Sequence, residues 1–304
     1  VDENLKGGTN PTVTIAGGAA SMLNKSNRTY TYKIDVLQGT HEENVLGSNP
    51  NANFTIDFTN EANIAGVQYT HESNSPTPTG TVTIDYTAPT LSNVYMKCDN
   101  TVDTSYAKTG SNLTLKFKGV DALSGGHLKE GITVLFDTNK PTTEVGDDTD
   151  ENWTASAPAA TNFTEGELTF QISNFFDLAG NAGVAVTDLS GGNRVTYDKT
   201  TPTIAGLTIA SNNANSSVLS KVDDEITLTI TIDSDIEPNG IQIPVVSIAN
   251  RTSDGGPVTI QNATADGAAS QGDLVFTAQY TMTAEDAETD EVQFQVDFSD
   301  LAGN

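Results

Sequence analysis

Apolar and polar residues alternate strictly at 29–36 (TYTYKIDV), 112–117 (NLTLKF) and 226–232 (ITLTITI). A period of two puts one face of a segment in a core and the other in water, so each run predicts a half-buried strand. β-Branched and aromatic residues fill these runs, as a pleated surface prefers. No segment keeps an apolar i, i+3, i+4, i+7 stripe, so no helix is predicted. Between the runs lie GSNPNAN, NSPTPTG, LSGG, SNNANSS and SDGGP, which are turn sequences. Many short strands with frequent turns predict an all-β sandwich architecture.

The pattern repeats. TVTIDYTAPT at 81–90 matches RVTYDKTTPT at 194–203, and TNPT at 9–12 is a shorter third copy. An extended run follows each copy: VTIAGG, LSNVYM and IAGLTIA. FQISNFFDLAGN at 170–181 matches FQVDFSDLAGN at 294–304, with a degraded form, FTIDFTNEAN, at 54–63. The expected order in every unit is an opening strand, an alternating strand, middle strands, the FQI strand, the DLAGN turn and a closing TVTID strand. The units then fall at 1–88, 89–201 and 202–304. A period of roughly 115 residues is too long for a solenoid and suits one sandwich per repeat. Pro89 and Pro202 have no N–H and a fixed φ, so they break the ladder between units and leave the joint little slack. In DLAGN, Asp and Asn side chains can bond back to local N–H groups while Gly supplies a positive φ.

The chain has 304 residues, with 14 Lys+Arg against 40 Asp+Glu, for a net charge of −26. Such a surface repels phosphates, which excludes sequence-independent nucleic-acid binding and disfavours an anionic bilayer. No run reaches the ~20 apolar residues of a spanning helix, so direct membrane insertion is not expected. The single cysteine, Cys98, excludes an intrachain disulfide and reads as a buried thiol. His41, His71 and His127 lack HxxxH or HExxH spacing. No nucleophile elbow, Walker loop or dinucleotide fingerprint occurs, and no enzyme is expected.

The D-x-A-G-N turn followed by D-x-T-x-P-T resembles bacterial immunoglobulin-like repeats, found in tandem in large surface adhesins and biofilm-associated proteins. The middle unit carries both halves, at Asp177–Asn181 and Asp198–Thr203. Asp85–Thr90 closes the first unit and Asp300–Asn304 marks the third. The resemblance implies a Greek-key Ig-like sandwich per unit and an extracellular, cell-surface role as rod or fibre. Its partners would be neighbouring Ig-like domains or copies of the chain, head to tail. The resemblance also implies calcium at the joints. The expected ligands are Asp85 and Asp198 at strand ends, Asp177 and Asp300 in the turns, and Asp233 and Asp235 after the second strand, because hard cations take several oxygens.

The third unit stops at its DLAGN turn, so it lacks the closing strand that NRVTYD supplies in the middle unit. Either the strand lies downstream, or a neighbouring copy donates one, with residues 1–8 (VDENLKGG) as the expected donor. The alternative function is an adhesive module recognising a glycan or host protein through loops of the middle unit. Trp153, in DENWTASAP, is its candidate platform, against a plain loop anchor. In a eukaryotic source, the sequons at Asn24, Asn27, Asn53, Asn112, Asn152, Asn162, Asn215, Asn250 and Asn262 would accept glycans.

Overall fold

The computed structural model describes residues 5, 10–27, 29–37, 54–70, 82–123, 125–137, 140–142, 144–149, 152–233, 241–262, 267–268, 274–289 and 291–304. The described chain is all-β, with no helix and several antiparallel sheets. Its first segment holds β1 (Thr12–Ile15), β2 (Gly18–Ala19), β3 (Ser21–Ser26), β4 (Thr29–Lys33), β5 (Phe54–Asp57) and β6 (Tyr69–Thr70). The middle segment holds β7 (Thr90–Cys98), β8 (Tyr106–Ala107), β9 (Asn112–Val120), β10 (Thr133–Phe136), β11 (Lys140–Pro141), β12 (Glu144–Thr149), β13 (Asn152–Pro158), β14 (Gly166–Glu167), β15 (Phe170–Ser173) and β16 (Thr196–Tyr197). The last holds β17 (Thr203–Ser211), β18 (Glu225–Asp233), β19 (Val245–Ile248), β20 (Arg251–Thr252), β21 (Thr259–Asn262), β22 (Gly267–Ala268), β23 (Val275–Thr281) and β24 (Phe294–Asp297).

In the middle segment, one sheet runs β12-β13-β9-β7 and a second runs β11-β10-β15. Alternation along β9 sends Leu113, Leu115 and Phe117 inward, where Trp153, Ala155 and Ala157 of β13 meet Val134, Phe136, Phe170 and Ile172. β16 closes this core: it pairs antiparallel with β14 and parallel with β8, and Val195 and Tyr197 are fully buried. Burying each such large apolar side chain contributes roughly 1.5–3 kcal/mol. The last segment repeats the plan, with β17-β18-β23-β21-β22 in one sheet and β20-β19-β24 in the other. Its separate core holds Ile226, Leu228, Ile230, Val246, Ile248 and Phe276.

The first segment departs from the expected strand order. Val13 of β1 faces Ile56, as Val134 faces Ile172 and Val246 faces Val296. Three residues after each valine comes a non-glycine residue with positive φ: Ala16 (49°), Asp137 (43°) and Ala249 (51°). β1 is therefore the counterpart of the middle strands β10 and β19. It is not an opening strand like β7 or β17, although TNPT precedes it. The short Thr-x-Pro-Thr match misled because it carries no side chains that distinguish one strand start from another. The TYTYK run is β4, which pairs with β3 as β13 pairs with β12. Leu5 bridges to Asn60, as Leu128 does to Asp177 and Ile241 to Asp300. Of residues 1–8, the expected donor strand, Leu5 is thus engaged within its own segment; the rest of 1–8 lies outside the described residues.

Candidate functional site

The DLAGN turn is built by its own first residue. Asp177 Oδ1 accepts from the N–H groups of Gly180 (2.6 Å) and Asn181 (2.8 Å), while Oδ2 accepts from Asn181 Nδ2 (2.8 Å). Gly180 sits at φ 104°, a conformation an L side chain rarely adopts. The carboxylate is sealed from solvent. Two residues after Asn181, Gly183 passes so close to the Phe175 ring that a Cβ there would overlap it. The turn is thereby pinned to the core.

Asn181 Nδ2 also donates to Asp85 O at 3.1 Å, tying the turn to the extended stretch that precedes Pro89. Asp85 turns its own Oδ1 to Thr87 N at 3.0 Å. The third acid is Asp121, at the end of β9, whose Oδ1 accepts from Leu123 N at 2.9 Å. One carboxylate oxygen each from Asp85, Asp121 and Asp177 lies within 4.8 Å of the others. Oxygens on one calcium ion at about 2.4 Å can lie up to about 4.8 Å apart, so these three fit the donor set of a hard cation.

The joint before β17 repeats the geometry. Asp300 Oδ1 accepts from Gly303 N (2.7 Å) and Asn304 N (2.9 Å), and Asn304 Nδ2 donates to Asp300 Oδ2 (3.0 Å) and Asp198 O (3.2 Å). Two further donors from the middle segment clasp this turn: Asn100 Nδ2 to Leu301 O at 2.8 Å, and Lys108 Nζ to Gly303 O. Asp198 Oδ1 accepts from Thr200 N (2.9 Å), and Thr200 Oγ1 donates to Glu165 (2.7 Å). That last bond holds the Glu165 carboxyl below its ordinary range.

The predicted acids therefore divide. Asp85 and Asp177 come together at one joint, and Asp198 and Asp300 meet at the other through Asn304. Asp233 ends β18 on an exposed position, and Asp235 lies outside the described residues. Asp121 was not foreseen; its signal is a lone acid where the alternation of NLTLKFKGV ends.

Trp153 is neither a loop anchor nor a surface platform. It is 3% exposed in β13, opposite Phe117, because the pattern Trp153, Ala155, Ala157 points inward. Cys98 is buried, and that burial raises its thiol pKa, as expected of an inert thiol. Of the sequons, Asn24, Asn112 and Asn152 lie in strands, Asn27, Asn162, Asn215 and Asn250 lie in turns or bends, Asn262 ends β21, and Asn53 is outside the described residues. No described helix is long and apolar enough to cross a membrane. The chain matches no family model, and no curated protein is significantly similar to it.

Proposed function

We propose that this protein is a non-enzymatic, extracellular structural element: tandem Ig-like sandwiches at 1–88, 89–201 and 202–304, joined end to end as a rod of a surface adhesin or fibre. The observation that carries this reading is the repeated joint. Asn181 Nδ2 to Asp85 O (3.1 Å) and Asn304 Nδ2 to Asp198 O (3.2 Å) are the same bond at equivalent places, each followed by a proline. A half-buried side chain committed to a neighbour's backbone fixes the relation of the two, where a Gly/Ser tether would leave it free.

Calcium belongs to the same reading, held by Asp85, Asp121 and Asp177. Carboxylates this close repel one another at neutral pH, so a divalent ion would lock the joint as well as relieve the repulsion. Small-angle scattering with calcium and with chelator tests both parts. The expected profile is that of an extended particle with calcium, and chelation loosens it and lowers the melting temperature. A compact particle overturns the rod, and a chelator that leaves both readouts unchanged overturns the calcium.

A further inference from the structure

The pairing of β7 with β9 breaks at one place. Ser92 faces Lys118 and Tyr95 faces Lys116, so Asn93 and Val94 together oppose the single residue Phe117. Asn93 makes this bulge at φ 51°, a conformation that asparagine tolerates better than most residues. Val94 is held from elsewhere: Ser190 Oγ accepts from Val94 N (2.9 Å), and Ser190 N donates to Val94 O (2.8 Å). A pocket of about 670 Å³ lies at the break. Its walls are the bulge itself, Lys116 and Phe117 of β9, Asn152 and Trp153 of β13, and Ser190 with Gly191. Phe117 and Trp153 belong to the inward face of the sheet, and Lys116 and Asn152 to the outward face, so the pocket draws on both.

Two observations mark this pocket as a binding site. The indole N–H of Trp153 is buried and has no hydrogen-bond partner among the described residues. Leaving a buried donor unmade costs roughly 1–3 kcal/mol, and folded chains seldom accept that cost without a use for the group. The second observation is internal to the chain. Aligned without a gap from Thr90 and Thr203, Gly206 stands in place of Asn93 and Thr229 in place of Lys116. Phe276, opposite Ile230, stands in place of Trp153, opposite Phe117. There the bulge falls at Ala205, and Leu207 keeps its place opposite Ile230. Phenylalanine, threonine and glycine thus serve the same sheet, and the indole N–H, the ammonium and the amide are additions of the middle segment. We propose that the pocket binds a carboxylated sugar residue, whose carboxylate accepts from Trp153 Nε1 and Lys116 Nζ. Indole and ammonium donate and never accept, so they select an acceptor, and the ammonium selects a charged one. The amides of Asn93 and Asn152 both donate and accept, which suits hydroxyl groups, and Val94 and Phe117 offer apolar surface to the C–H face of a ring. Lys97, Lys116 and Lys118 all take outward positions on β7 and β9, which sets positive charge around the pocket in a chain of net charge −26. The sugar is recognised through the edge of the indole, not by stacking on its face.

This site does not depend on the end-to-end reading above. Trp153 is the only tryptophan, so a single indole N–H resonance in the nitrogen–proton correlation spectrum of the full chain reports on the pocket. Galacturonate should move that resonance saturably, and galactose, the same ring without the carboxylate, should not. Trigalacturonate distinguishes the sources: binding at least as tight as the monomer's marks the end of an acidic polysaccharide, and binding of the monomer alone marks the free acid. Lys116→Met keeps most of the stem, removes the charge and should weaken binding about tenfold. At Gly191 an added Cβ meets nothing within 4 Å, so Gly191→Phe should leave the fold intact and abolish binding by filling the pocket. Trp153→Phe installs the residue type that Phe276 already supplies to the same sheet position, and calorimetry should show galacturonate binding lost from a folded chain. A resonance unmoved by either acid, moved equally by galactose, or still moved in the Gly191→Phe chain overturns the site. Undiminished binding by Lys116→Met overturns the carboxylate.

Discussion

The middle and last segments share their main strands, β7, β9, β10, β13 and β15 matching β17, β18, β19, β23 and β24, and differ in what lies over one sheet. In the middle, β16 and the residues leading to it cover β7, and Tyr197 fills the gap, its OH meeting Ala160 O (3.0 Å) and Thr109 Oγ1 (2.7 Å). Phe163 packs edge-on to its ring at 5.7 Å. The last segment uses other residues in this region. At the place of Phe163 stands Asp286, and at the place of Ala157 stands Tyr280, whose OH donates to Asp286 at 2.7 Å. A polar network built from the segment's own strands thus stands where the middle has an aromatic pair. It holds Tyr280 in the core, but it does not reach β17. The difference teaches that strand formation and strand coverage are separate properties, because alternation builds the sheet whether or not its outer edge is covered.

Matched charge insertions give the largest expected contrast. Val94→Asp puts a carboxylate at a position 1% exposed and should cost the middle core about 3–5 kcal/mol, enough to unfold it in most solution conditions. Leu207→Asp makes the same change at the equivalent place, 38% exposed, and should cost under about 1 kcal/mol in the dilute chain. Denaturant titration monitored by Trp153 fluorescence reports the middle core, and hydrogen exchange of β18 reports the last. Equal losses at the two sites would mean that β17 is covered as fully as β7 and would remove the contrast.

The turns should behave alike. Asp177→Ala and Asp300→Ala each remove one carboxylate that satisfies two backbone N–H groups and one amide. Each should destabilise its segment by about 3 kcal/mol, since three bonds to one buried carboxylate are lost at once. Thermal unfolding of the two variants checks this, and a loss at one joint only would show that the turns are not equivalent parts.

Much of this was legible in the residues. NLTLKF and ITLTITI became β9 and β18 with strict inward alternation, because period two leaves one face to bury. The repeated DLAGN and TVTID motifs single out Asp85, Asp177, Asp198 and Asp300 in the residues alone. Three things were not legible. Asp121 reaches its joint through a loop after β9, and a single acid carries no spacing signal in a chain with 40 of them. Trp153 looked loop-bound because DEN precedes it, yet the small residues Ala155 and Ala157 mark an inward face beside a bulky neighbour. The identity of β1 hid behind TNPT, since pairing partners and the positive φ at Ala16 are tertiary facts.

The smallest effect concerns the network that stands in for the aromatic pair. The Asp286 side chain is 2% exposed, and burial alone would raise its pKa. Donation from Thr283 N (2.7 Å), Tyr280 OH (2.7 Å), Thr283 Oγ1 (3.0 Å) and Arg251 Nε (3.3 Å) outweighs burial and holds the carboxyl below its ordinary value. A carboxyl whose folded pKa is depressed adds stability that is complete above its unfolded pKa, and that is lost as pH falls through the ordinary aspartate range towards the folded value. Asp286→Asn should cost about 1–2 kcal/mol at neutral pH, because all four accepted bonds lose the charge that strengthens them. It should also flatten the acid limb of the last segment's stability curve and leave that of the middle unchanged. Hydrogen exchange resolved by segment, run from neutral to acid pH, separates the two. An unchanged acid limb in the variant would show that the network contributes packing alone.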